Sequence, residues 1–274
     1  MKTLIKNTLL GGALLLGSSA SMASLINVGG VVWDPSSPAD FFSEASLTEQ
    51  TVQVVGDTLS GFGKISSMNS LTGPNQSDFC PSCELTFSFG GFTVSADVSS
   101  AFAFSGGWMK IYVDGTPDYT LSDAADGGLS TATNGDLWLD LKAVEYFEAT
   151  ALNGAGSTGT LFGSLSAGSL SSPEADEKGS GDGFFSVEGG LAASNFDTDF
   201  FKELQVLTQH GFTTTTADLS FSSSFQPSSL YSNFNTGLAL KGTGELAGNS
   251  IPEPTSLALL GLGLLGFGAT RKRK

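Results

Sequence analysis

Histidine occurs once in this chain of 274 residues, and cysteine twice. A structural zinc site needs four ligands drawn largely from these residue types, so zinc is disfavoured from the start. Cations are scarce as well: 12 Lys+Arg stand against 27 Asp+Glu, for a formal charge of −15. Both arginines, Arg271 and Arg273, lie within the last four residues. Nucleic-acid binding needs a basic footprint, and its absence excludes that class of partner. Long helix-forming stretches are missing, and no internal repeat emerges at any period. Glycine (36) and phenylalanine (21) are plentiful, with abundant Ser and Thr. Such a composition suits an exported β protein better than a cytosolic enzyme.

Residues 1–23 have the three parts of a secretory signal peptide. Lys2 and Lys6 form the positive start, residues 9–16 the short apolar run, and Ser21-Met22-Ala23 a small-x-small cleavage site. Cleavage after Ala20 also fits. The exported body is then 24–250. Setting aside Lys2, Lys6, the four terminal cations and Glu253 leaves six lysines against 26 acids, a formal −20. An acidic surface of this kind favours solubility outside the cell and attracts cations.

The C-terminal segment, 251–274, has a different character. Ile251-Pro252-Glu253-Pro254 precedes an uncharged Leu/Gly-rich run over 257–269, and Arg271-Lys272-Arg273-Lys274 closes the chain. As a helix, residues 255–270 would reach roughly 24 Å. That is short of the roughly 30 Å hydrocarbon core, so it is a marginal transmembrane helix. The cationic end fixes its cytoplasmic side. Gly261-Leu262-Gly263-Leu264-Leu265-Gly266 spells the dinucleotide-binding pattern, yet no strand, helix and distant acid surround it as that motif requires. Its glycines read instead as small residues of a membrane span.

Pro252-Glu253-Pro254, the apolar run and the basic end together resemble the PEP-CTERM sorting signal of Gram-negative bacteria. The resemblance implies processing by an exosortase near Pro252-Glu253-Pro254, transient anchoring in the inner membrane, and a producer of exopolysaccharide. Trp33-Asp34-Pro35, Gly106-Gly107-Trp108 and Gly135-Asp136-Leu137-Trp138-Leu139 resemble uncharacterised PEP-CTERM proteins, which imply no activity for the body.

Within the body, Leu85, Phe87 and Phe89 alternate with Thr86 and Ser88, and Leu137, Leu139 and Leu141 with Trp138 and Asp140. This period of two marks half-buried strands. Gly90-Gly91 is expected to turn the chain between one strand and the next. Many short strands with turn signals at roughly 8–12 residues predict an all-β antiparallel β-sandwich or jelly-roll-like domain. Two segments depart from that rhythm. Residues 152–183, dense in Gly and Ser, are expected to form a mobile loop. Residues 199–209 are expected to form a short helix, since Phe200, Leu204 and Leu207 share a helical face.

Candidate chemistry is sparse. In an oxidising compartment Cys80 and Cys83 most simply close a small disulfide at a turn. A redox pair would need a thiolate-stabilising cation, and the flanking Asp78 and Glu84 are acidic. His210 could join a serine and Asp218 in a hydrolase triad, but no nucleophile-elbow motif is nearby. A glycosidase needs only two carboxylates, and nothing selects a pair. Acidic-glycine turns, among them Asp114-Gly115-Thr116-Pro117-Asp118 and Asn134-Gly135-Asp136, offer oxygen ligands for calcium without matching the EF-hand pattern. Trp138, opposite the core-facing leucines, is the best candidate for a glycan contact, with Trp33, Trp108, Tyr112, Tyr119 and Tyr146 as further aromatics. The expected function is a non-enzymatic protein of the cell surface or extracellular matrix (biofilm), without a cofactor. The alternatives are a secreted carbohydrate-binding module and a secreted hydrolase.

Overall fold

Alternation of apolar and small polar residues along the body produces strands almost throughout. The computed structural model describes residues 25–37, 41–69, 78–121, 127–166, 168–169, 178–227 and 238–251. The signal peptide and the segment from Pro252 onward, including the expected transmembrane helix, lie outside the described residues. Among the described residues, no helix is long and apolar enough to cross a membrane.

The described residues form fifteen strands in order: β1 (Ile26–Val28), β2 (Val31–Trp33), β3 (Phe41–Gln50), β4 (Thr58–Met68), β5 (Glu84–Val98), β6 (Ala101–Asp114), β7 (Asp136–Ala143), β8 (Tyr146–Leu152), β9 (Ala155–Gly159), β10 (Leu161–Leu165), β11 (Gly179–Gly189), β12 (Phe201–Thr208), β13 (Gly211–Ala217), β14 (Leu219–Pro227) and β15 (Leu238–Gly248). Among the described residues two single-turn helices interrupt them, α1 (Leu129–Ala132) and α2 (Ala193–Phe196).

Nine strands form one antiparallel sheet, in the order β10-β11-β14-β15-β3-β4-β5-β6-β7. β10 also pairs with β6, and β11 with β7, so the sheet closes on itself. β7 and β10 fill successive halves of one lane. β6 meets β7 from Val113↔Asp136 to Trp108↔Lys142, and then meets β10 from Phe104↔Leu161 to Ala101↔Ser164. β11 bridges both halves from the other side, through Phe185↔Ala143 and Gly183↔Leu161. The result is an all-β, antiparallel barrel-like body of eight lanes, with the β8–β9 hairpin inserted in the split lane. The inward side chains, among them Ile65, Leu85, Phe104, Ile111, Leu141 and Phe185, belong to one core.

Three expectations change. Gly90-Gly91 does not turn the chain, because β5 runs straight through both residues. Gly91, at φ 72, faces Gly106 and Gly107, at φ 70 and 106, where the Trp108 indole covers the glycine pair. The 152–183 segment is not one loop, since it contains β9, β10 and the first residues of β11. Residues 199–209 are not a helix: β12 pairs with β13 as a hairpin, and a bulge between Phe201 and Leu204 sets the spacing of its apolar residues.

Candidate functional site

The sorting segment begins where the body holds its own end. Trp33 Nε1 donates to Ser250 Oγ at 3.1 Å. Asn195 Nδ2 donates to the Ile251 carbonyl at 2.9 Å, and the Ile251 N–H returns a bond to the Asn195 carbonyl at 2.8 Å. The anchoring side chains come from β2 and α2, both of which pack against Trp138 of β7 and join the main core. Pro252, Glu253 and Pro254, and likewise Arg271, Lys272, Arg273 and Lys274, lie outside the described residues.

These same elements correct the reading of Trp138 as a glycan contact. The alternation along β7 is broken at Trp138, where pairing with β6 shifts register between Tyr112↔Leu137 and Ile111↔Leu139, and Trp138 belongs to the same core as Leu139 and Leu141. The indole is 0 % exposed, because the β1–β2 hairpin and α2 cover it. It packs edge-on against Trp33 at 5.7 Å between ring centroids and against Phe196 at 5.5 Å, and its Nε1 donates to the Val28 carbonyl at 3.1 Å. Trp108 is the exposed tryptophan, with the Lys110 ammonium 5.9 Å from its ring. The expected aromatic platform is therefore divided between a buried cluster and a separate surface position.

Two of the acidic turns converge on one buried carboxylate. Glu84, Asp114 and Asp118 each offer an oxygen within 4.8 Å of the others. Glu84 Oε2 accepts from Lys64 Nζ at 2.9 Å, while Oε1 accepts the N–H of Asp118 and of Tyr119 at 2.7 Å each. Burial alone would push this carboxyl up; the Lys64 ammonium and the two N–H groups outweigh it and hold the group below the ordinary carboxylate range. Asp114 accepts the Thr116 N–H, and Asp118 accepts Asn134 Nδ2. The arrangement clasps the β6–α1 connection to β5 using donors that the protein itself supplies.

Asp218 has a similar structural role. It is 2 % exposed and accepts the N–H of Val187, Thr198 and Asp199 at 2.7 Å each. His210 sits far along the chain's fold in the exposed turn of the β12–β13 hairpin, its N–H bonded to Thr208 Oγ1. Asp218 is thus spent on backbone groups, and the candidate triad is not assembled. Cys80 and Cys83 are joined in a disulfide, packed against the main core beside the β1–β2 hairpin.

The sequence reading missed the barrel interior. At one end the side chains leave a cavity of about 310 Å³, whose described lining is mostly apolar, with seven phenylalanines, and includes Glu49. Glu49 is the only carboxylate among its described lining residues, so no glycosidase-like pair is present there. The signal was available: Glu49 stands two residues after Leu47 and shares its inward face.

Comparison with known proteins bears on the tail alone. No curated protein and no solved structure matches the chain. Residues 250–274 match the family described as the PEP-CTERM protein-sorting motif. The chain thus carries a PEP-CTERM sorting signal, which supports export, transient membrane anchoring through the C-terminal region and processing by exosortase.

Proposed function

We propose that the body, 24–250, acts outside a Gram-negative cell as a non-enzymatic structural protein of the surface or of an exopolysaccharide-containing matrix. The sorting motif at 250–274 carries this reading. The signal peptide delivers the chain, and 257–269 holds its end in the inner membrane with Arg271-Lys272-Arg273-Lys274 on the cytoplasmic side. Exosortase then cuts near Pro252-Glu253-Pro254 and the acidic body is released. A carbohydrate-binding role centred on Trp138 is not part of the proposal, since that indole is covered.

Intact-mass analysis of the extracellular form tests the reading. The expected mass lacks both 1–23 and the 257–269 peptide. An extracellular form that retains Lys274 would sink it. Deleting Pro252-Glu253-Pro254 should leave the protein in the membrane fraction; unchanged release would count equally against the proposal.

A further inference from the structure

Glu49 is a charged residue type at an apolar position. Leu47 and Glu49 share the inward face of β3, and Leu47 is 4 % exposed within the main core. Glu49 follows it inward and is 6 % exposed. Its neighbours across the sheet are Gly61 on β4 and Leu240 on β15, neither of which carries a side-chain donor. Burial is the one influence on its carboxyl, with no hydrogen bond or ion pair to a described residue. Burying a polar group without a partner is costly, and nearly all such groups in native proteins have one.

The space in front of Glu49 has the size and lining of a ligand site. Phe89, Phe92, Phe102, Phe104, Phe185 and Phe221 line it, together with aliphatic side chains such as Leu161. The cavity reaches solvent beside the exposed residues Thr51, Gln53 and Pro227. An eight-stranded barrel encloses about enough room for one small ligand. A cavity of about 150 Å³ admits benzene, so 310 Å³ holds about two such rings.

We infer that this cavity binds an apolar molecule bearing a single ammonium group, its hydrocarbon part among the phenylalanines and its nitrogen against Glu49. The carboxyl is the missing counter-charge for such a head group. The surrounding rings present electron-rich faces that attract a cation. An acidic ligand would find no cation, since Glu49 is the only titratable group among the described lining residues. The body's excess of acids over lysines also repels anions and draws cations toward it. Without a partner, burial pushes the Glu49 carboxyl to about 8. A neutral amine therefore takes the Glu49 proton, while an incoming ammonium displaces it to water. Either route leaves one carboxylate paired with one ammonium.

Three probes of one skeleton test the assignment: 4-phenylbutylamine, 4-phenylbutan-1-ol and 4-phenylbutanoate. Each is titrated calorimetrically into the full chain held in amphipol. The amine is expected to bind at least about tenfold tighter than the alcohol, with the carboxylate weaker still. Glu49→Gln should lower amine affinity by about tenfold or more and leave the alcohol nearly unchanged. Leu165→Trp, which fills the cavity wall, should weaken both. Melting curves establish that each variant is folded; if Glu49→Gln is not, the probe series still reads the head group and Leu165→Trp the location. Equal affinity for amine and alcohol, amine binding indifferent to either variant, or no amine binding at roughly 1 mM would each overturn the inference.

Discussion

Gly163 on β10 stands directly across from Phe102 on β6, and the Phe102 ring occupies the place where a Cβ on residue 163 would project. Gly61 and Phe89, Gly63 and Phe87, and Gly179 and Phe225 repeat the same cross-strand relation. Each glycine makes room for a ring, and each ring shields backbone that the glycine leaves bare. The abundance of Gly and the abundance of Phe are therefore two halves of one packing scheme.

Gly163→Ala should be destabilising. The Phe102 ring is 3 % exposed and packed, so the added methyl forces a shift costing about 1–3 kcal/mol. Thermal melting should show a midpoint lower by several degrees. Gly189→Ala is the control, because its Cβ would meet nothing within 4 Å. Equal melting of the two variants would refute the packing scheme.

The same scheme explains why some of the fold was legible and some was not. Strands β5 and β7 are plain in the sequence because large apolar residues alternate with small polar ones. Around residues 152–183 glycine reads as loop, although at Gly163 and Gly179 it serves a ring on a strand distant in sequence. The helical spacing of Phe200, Leu204 and Leu207 does not carry over to the strand: Phe200 precedes β12, and Leu204 and Leu207, three apart without a bulge between them, fall on opposite faces. Trp138 interrupts the alternation of β7, and the residues that bury it, 26–33 and 193–196, are distant in sequence, so no local pattern announces that contact. Glu49 lay in phase with Leu47, yet its isolation depends on what β4 and β15 fail to offer.

Glu49 gives the protein a specific pH dependence. Its carboxyl is raised from 4.5 to about 8 by burial, so the folded chain keeps a proton that the unfolded chain releases. The associated stability is fully present below about pH 4.5 and is lost as pH rises through about 8. Glu49→Gln lacks this loss. Chemical unfolding at pH 5 and pH 9 should show the variant gaining on the wild type by a few kcal/mol at the higher pH, of the order set by the shift. Parallel pH profiles would refute it.

Glu84 should behave in the opposite sense. Its folded-state carboxyl lies below the ordinary value of 4.5, so its contribution is present above that pH and lost as pH falls below it. Glu84→Gln removes the charge that Lys64 and two N–H groups share, and should cost about 1–2 kcal/mol at pH 7. The gap from wild type should narrow in acid unfolding measurements; a gap that widens would contradict the clasp.

Trp138→Ala should cost about 3–5 kcal/mol, as expected for truncating a fully buried tryptophan. The Trp33 and Phe196 rings lose their neighbour, and the hold on Ser250 and Ile251 loosens with them. Limited proteolysis should then cut near residue 250 faster in the variant. A wild-type melting midpoint and cutting rate would place Trp138 outside the packed layer.

Barrel closure also sets an order of events during export. β15 lies between β14 and β3, joining Gly248 to both Leu219 and Phe41. The β3 partner thus waits for a strand that emerges roughly 200 residues later. Pairing across such a separation is slow, and until it occurs β3 and β14 present open edges to other chains. Since β15 ends just before the sorting motif, a tail held at the membrane keeps the last strand beside its partners while the seam closes. Release would then follow folding, and the tail would act as a timer as well as an address.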